Sequence, residues 1–190
     1  ALRWPRIGKA LDVFFAFDSG RRELAERIWI EAEGKLVIPL ADGSSFTLTA
    51  RADRIELGRD GLATVIDYKT GAPPGKDEVR VGFAPQLTLE AAMLKAGAFP
   101  GIDPVDTAVG YYLKLGGADG GRERRIGFDD ATFGEVAAEH FAGLKTLLER
   151  FRHPETGYVS RPFPKFVAKG TDFDHLARVA EWALGEGDEA

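Results

Sequence analysis

The chain of 190 residues contains no cysteine. That absence excludes disulfide staples, thiolate zinc sites, iron–sulfur clusters and cysteine nucleophiles together. No run of about 18 apolar residues occurs, so no segment reads as a membrane-spanning helix. The opening Ala1-Leu2-Arg3-Trp4-Pro5-Arg6 lacks the apolar stretch of a signal peptide, and the expected setting is cytoplasmic. Positive charge is not in excess either: 25 Lys and Arg stand against 30 Asp and Glu, for a net charge of −5. Proteins that capture nucleic acid unaided carry a basic surface, because phosphate neutralisation supplies most of their non-specific affinity. Bulk charge therefore argues against that class. The charge is uneven, however. Lys145, Arg150, Arg152, Arg161, Lys165 and Lys169 stand against Glu149 and Glu155, while Glu181, Glu186, Asp188 and Glu189 make the ending acidic. On charge alone the basic stretch reads most simply as a solvated face with ordinary ion pairs.

What is present is core-forming. Apolar residues make up 44% of the chain and include 13 Phe, which rules out a mostly disordered polymer. The length suits one domain over residues 1–190. Its expected parts are a helical lead-in over 1–28, a sheet core with a helix over 29–115, C-terminal helices over 128–184 and an acidic tail over 185–190. Trp4, Ile7, Leu11, Phe14 and Phe15 recur at helical spacing, with Asp18-Ser19-Gly20 as a break and a second helical piece through Leu24, Ile28 and Trp29. Residues 30–40, 46–57 and 63–70 read as three strands of an antiparallel meander, joined at Ala41-Asp42-Gly43-Ser44 and Arg59-Asp60-Gly61. A helix is expected from Ala84 or Pro85 to Lys95, with Leu87, Ala91 and Leu94 on one stripe and Gly97 stopping it. Residues 107–115 read as a buried fourth strand, and Gly116 to Gly121 as a turn or loop. The longest helix is expected after a cap at Asp129 or Asp130, with an apolar stripe from Phe133 to Phe151 and a stop at Pro154. A last short helix would follow Asp172 or Asp174.

The third strand carries the chemistry. Ala63, Val65, Asp67 and Lys69 share one face, while Ile66 and Tyr68 point the other way. If the hairpin closes about Arg59-Asp60-Gly61, Asp53 of the second strand approaches Asp67. Two carboxylates and an ammonium then converge at the rim of a sheet. Close carboxylates repel and are costly to desolvate, and a divalent cation relieves both costs. Hard oxygen donors suit Mg²⁺ or Mn²⁺ rather than zinc. Lys69 is then placed to orient a water or to stabilise charge on a phosphate. An Asp and a Lys on one strand can equally form a plain surface ion pair.

Arg51-Ala52-Asp53-Arg54-Ile55, then Val65-Ile66-Asp67-Tyr68-Lys69-Thr70-Gly71, then Gln86-Leu87 resemble the RecB-type nucleases of the PD-(D/E)xK superfamily, with their "DRI" strand, "IDYKTG" strand and downstream "QL" helix in this order. The ending from Asp174 to Trp182 is similar to the C-terminus of AddB proteins, the nuclease-bearing partners in AddAB helicase–nuclease complexes. The resemblance implies an α/β fold with a central mixed sheet, an antiparallel meander and flanking helices. It implies Mg²⁺ bound by Asp53, Asp67 and the backbone carbonyl of Tyr68, with Lys69 positioning the attacking water and Gln86 supporting the site. The implied activity is exonucleolytic hydrolysis of DNA during double-strand break repair, beside an AddA-type helicase partner.

The chain also departs from that pattern. Related nucleases add a metal-binding His or Glu from an upstream helix, in a segment like "RG…H", and none precedes Asp53. The resemblance therefore implies a fragment beginning downstream of that segment. Glu31 and Glu33 are the available substitutes, although charged side chains on an edge strand ordinarily face solvent. The four cysteines of an AddB iron–sulfur cluster are missing, and Glu90 stands where the family has a Tyr four residues after the Gln. His140 is expected to pack between helices and His153 to serve a helix C-terminus, while His175 has no assigned role. The alternative to an enzyme is an inert scaffold that guides DNA or binds a partner on the same fold.

Overall fold

The computed structural model describes residues 4–158. The chain divides into two compact units, residues 1–153 and 154–190; every described helix and strand lies in the first. Residues 154–158 of the second form neither helix nor strand. The Asp172- or Asp174-capped helix, His175 and the acidic tail fall outside the described residues.

The first unit is α/β. Its order is α1 (Trp4–Leu24), β1 (Ala25–Pro39), β2 (Ser45–Gly58), β3 (Ala63–Lys69), α2 (Lys76–Arg80), α3 (Gln86–Lys95), β4 (Thr107–Leu115), β5 (Gly121–Ile126) and α4 (Phe133–Phe151). The five strands form one sheet in sequence order. β1, β2 and β3 are an antiparallel meander, β4 joins β3 in parallel, and β5 returns antiparallel to β4. The parallel step requires a crossover, which α2 and α3 supply.

The period of two divides β3 between two cores, as expected. Ala63 and Val65 pack with Ile55, Leu87, Met93, Leu94, Tyr112 and Phe133 beneath α3 and α4. Ile66 joins Leu113 and Phe17 of α1 on the opposite side, with Tyr68 and Tyr111 beside them. Two glycines mark close approaches to the larger core. A Cβ on Gly110 would lie 2.9 Å from the Phe133 ring and 3.0 Å from Leu87, and one on Gly34 would lie 2.7 Å from Phe99.

Several expected boundaries move. Asp18-Ser19-Gly20 does not break α1, because the Asp18 carboxylate accepts hydrogen bonds from Arg22 one turn on, at 2.7 Å, and from Arg54 of β2, at 2.5 Å. The helix instead ends at Leu24, and Ile28 and Trp29 belong to β1. α1, at 21 residues, exceeds α4 at 19. The α4 cap is Thr132, whose hydroxyl accepts from the Glu135 N–H while Glu135 reaches back to the Thr132 N–H. α2 and β5 were not expected. α2 has five residues, and β5 reads Gly-Arg-Glu-Arg-Arg-Ile, a charged edge strand.

Candidate active site

The last backbone pair recorded at this end of the β2–β3 ladder joins Arg54 to Ile66. Continuing that register by one residue sets Asp53 against Asp67. There the Asp53 carboxylate takes over from the backbone, and its Oδ2 accepts the Tyr68 N–H at 2.8 Å. The expected approach of these two strand residues is therefore present.

Asp67 and Lys69 project together, and Lys69 Nζ lies 3.0 Å from Asp67 Oδ1 and 2.9 Å from Oδ2. Gln86, the first residue of α3, closes the group. Its Oε1 accepts from Lys69 at 3.0 Å while its Nε2 donates to Asp67 Oδ1 at 2.6 Å. The amide orientation follows from chemistry: the carbonyl must face the ammonium and the NH₂ must face carboxylates. One turn further along α3, Glu90 Oε1 takes the same Nε2 at 3.3 Å. Asp53, Asp67, Lys69 and Gln86 thus sit at one end of the β2–β3 pair: the hairpin and the strand alternation anticipated the first three, and the resemblance alone placed Gln86 with them.

Tyr68 contributes only backbone on this face. Its ring lies on the α1 side, 6.0 Å from the Phe14 ring, and its hydroxyl is 3.5 Å from Arg54 Nη1. That side is held by a separate charged network, in which Arg54 pairs with Asp18 and Glu56, and Arg21 of α1 also reaches Glu56.

The electrostatics follow from burial. Asp67 is 3% exposed, and desolvation lifts its carboxyl above the usual range. Lys69 and Gln86 oppose the lift, and the Asp53 charge adds to it. Glu90, 4% exposed, is pushed up to about 8 by burial, against the Gln86 hydrogen bond and reinforced by Asp67 and Asp53. Tyr112 stands beside Asp67 in the β3–β4 register, with its ring 5.8 Å from Lys69 Nζ. Burial raises its phenol far up, so the ring carries no charge at neutral pH.

Glu90 is the member of this group that sequence reading missed. Its signal was available: an acid four residues after Gln86, flanked by apolar positions of the same helix. The other carboxylates considered stay apart. Glu31, with φ of 53° the non-glycine exception to negative φ among the described residues, pairs with Arg51. Glu33 is exposed on β1, an edge strand. Among the described residues no group of three His, Asp or Glu is placed to share one metal ion. His140 packs as expected, with Nδ1 2.7 Å from Thr88 Oγ1 and Nε2 3.2 Å from the Arg80 carbonyl. No helix of the described residues is long and apolar enough to cross a membrane.

An uncharacterised protein of Rickettsia bellii is 37% identical over 86 residues, which are 45% of this chain and 10% of that protein. An uncharacterised protein of Rickettsia felis is 36% identical over 107 residues, 55% of this chain and 12% of that protein. The chain thus spans about a tenth of the length of these curated relatives. A solved structure described as the crystal structure of SSO0001 aligns at 19% identity with a TM-score of 0.38, covering 67% of this chain and 56% of that one. Residues 5–162 match the family model of the PD-(D/E)XK nuclease superfamily.

Proposed function

The chain belongs to the PD-(D/E)XK nuclease superfamily, and from that premise we propose that it is a metal-dependent deoxyribonuclease domain whose chemistry is carried by Asp53, Asp67 and Lys69. The observation that carries this reading is the joint placement of Asp53 on the Tyr68 N–H and of Lys69 and Gln86 on Asp67.

The donor set suits a hard divalent cation. Asp67 is buried, carries a raised carboxyl and feels the Asp53 charge, so a cation shared by both would offset desolvation and repulsion together. Asp53, Asp67 and the Tyr68 backbone carbonyl would hold Mg²⁺, or Mn²⁺ in its place. Such an ion, when bound, supplies Lewis acidity and neutralises charge on a phosphate. The protein's own part is positioning. Lys69 has three N–H donors; Asp67 and Gln86 engage the ammonium, and its side chain remains 32% exposed, leaving it access to substrate. Its charge then stabilises the phosphate as water attacks phosphorus and one P–O bond breaks. Gln86 Oε1 gives the ammonium an uncharged acceptor beside Asp67, at 3.0 Å.

We assign the domain to a helicase–nuclease of the AddAB type, in which an AddA-type partner delivers the strand during double-strand break repair in the cytoplasm. Support comes from the motif order, from relatives far longer than the matched stretch, and from a net charge of −5, which suits a partner-fed site better than unaided DNA capture.

The test is calorimetry with Mg²⁺ and Mn²⁺ on the whole chain, paired with cleavage of linear and circular single-stranded DNA. Metal binding lost in Asp53→Ala and Asp67→Ala, with cleavage of linear DNA alone, fits an exonuclease. Cleavage surviving in both variants would overturn the assignment. Metal and DNA binding without cleavage would favour a guiding module on the same fold.

A further inference from the structure

We propose that Glu90 is a positioning residue of this site: it pins the Gln86 amide, and through Gln86 sets where the Lys69 ammonium stands. The catalytic meaning of this rests on the nuclease reading above; the positioning itself does not.

Packing gives no reason for an acid here. Glu90 is 4% exposed, and its neighbours on α3, Leu87, Ala91, Met93 and Leu94, are buried apolar residues. A leucine would fill the position without the cost of desolvating a carboxyl. The carboxyl instead makes one specific contact, accepting from Gln86 Nε2 at 3.3 Å, while its Oε2 is buried with no hydrogen-bond partner among the described residues. The spacing of four residues places both side chains on one helix face.

That contact completes the Gln86 amide. Its carbonyl serves Lys69, one N–H serves Asp67, and the second N–H requires another acceptor. Glu90 supplies it, so three directions fix the plane of the amide. With the acceptor removed, the amide is held at Asp67 and Lys69 alone, and the three side chains can shift together.

The charges around Glu90 explain why an anchor at this place does not disturb the site. Asp53 faces it from β2, Asp67 and Lys69 from β3, and Tyr112 from β4. Glu90 and Arg51 line one cavity of about 220 Å³, together with Thr49, Gln86 and Met93. Burial keeps Glu90 a neutral acid at neutral pH, so it offers Gln86 a carbonyl oxygen without a third negative charge beside Asp53 and Asp67. A neutral acid has the shape and acceptor of an amide, which makes Glu90→Gln the conservative replacement.

The experiment compares Glu90→Leu, Glu90→Gln, Gln86→Leu and the double variant Glu90→Leu/Gln86→Leu in the whole chain. Two readouts are taken: kcat and KM for Mn²⁺-supported cleavage of single-stranded DNA, and NMR exchange protection of the Gln86 side-chain NH₂ in metal-free protein. Glu90→Leu should lower kcat about 10- to 100-fold with KM little changed, and Glu90→Gln should restore most of the rate. In the Gln86→Leu background, Glu90→Leu should have no further effect. Protection of the Gln86 NH₂ should fall about tenfold in Glu90→Leu and persist in Glu90→Gln. Unchanged protection in Glu90→Leu, or additive losses of kcat in the double variant, would overturn the proposal. A parent that never cuts DNA sinks the nuclease reading alone, because the amide signal still decides whether Glu90 positions Gln86.

Discussion

The Asp53 carboxylate accepts the Tyr68 backbone N–H at 2.8 Å, and this bond extends the pairing of β2 with β3 one step past their ladder. One side chain therefore aligns the strands and, in the proposed reading, also ligates the metal, and the two tasks separate by substitution. Asp53→Ala should cost about 1–2 kcal/mol in urea unfolding, because it leaves the Tyr68 N–H without its acceptor. Asp53→Asn keeps an acceptor oxygen and should unfold close to the parent. Both should lose metal binding. Equal stability losses in the two variants would contradict the division.

Lys69→Met removes the ammonium from a carboxyl that burial already lifts. The Asp67 carboxyl should rise further, which a carbonyl-carbon NMR titration of the metal-free protein reads directly. Cleavage should fall by about 100-fold or more. A downward move of Asp67 would contradict the assigned contact.

The pH dependence of stability has a defined sign. Glu90 goes from 4.5 when unperturbed to about 8 in the fold, so the folded protein holds a proton that the unfolded chain releases. A raised carboxyl contributes stability that is complete below its unfolded value and lost as pH rises through its folded value. Asp67 is shifted in the same direction. Chelated protein should therefore lose stability between 4.5 and about 8, and Glu90→Gln should flatten that slope. Thermal melts across this range in the presence of a chelator measure both.

Gly110→Ala should destabilise by about 1–3 kcal/mol, since the new methyl meets the Phe133 ring and Leu87 in a filled core. Gly43→Ala serves as a contrast: its Cβ would meet open space, and its cost comes from a φ of 83° alone. Chemical unfolding of the two separates overpacking from backbone strain.

Asp18→Ala should loosen α1. It strips Arg54, 2% exposed, of an ion-pair partner at 2.5 Å, and should cost about 1–3 kcal/mol. Hydrogen exchange should accelerate across α1 while the α3 amides stay protected.

Much of this arrangement was legible because apolar spacing reports faces. The alternation in β3 separates Val65, Asp67 and Lys69 from Ile66 and Tyr68. The structure places Val65 in one core and Ile66, with Tyr68 beside it, in the other, while Lys69 reaches Asp67 on the Val65 side. The α3 stripe of Leu87, Ala91 and Leu94 is buried as expected. What spacing could not report were features decided by partners remote in sequence. Asp18 looks like a helix breaker until Arg54, 36 residues away, takes its carboxylate. β5 carries mostly charged side chains, because it is an edge strand defined by backbone pairing to β4. α2 is too short to show a period and depends on Glu78 capping its own start. Thr132 outcompeted Asp129 and Asp130 through a reciprocal bond with Glu135. In sequence Glu90 is only a mismatch to a motif, since its meaning depends on the hydrogen bond it receives from Gln86.

β3 alternates residues of two faces, with Asp67 and Lys69 on one and Ile66 and Tyr68 on the other. A slip of one residue would exchange the two sets, pressing a carboxylate and an ammonium into the apolar layer under α1 and turning Ile66 toward Asp53 and Gln86. Misalignment and loss of chemistry are thus the same event. The alignment that brings Asp53 to the Tyr68 N–H and Gln86 to Asp67 is also the one that buries Ile66, so a mispaired sheet would lose both together.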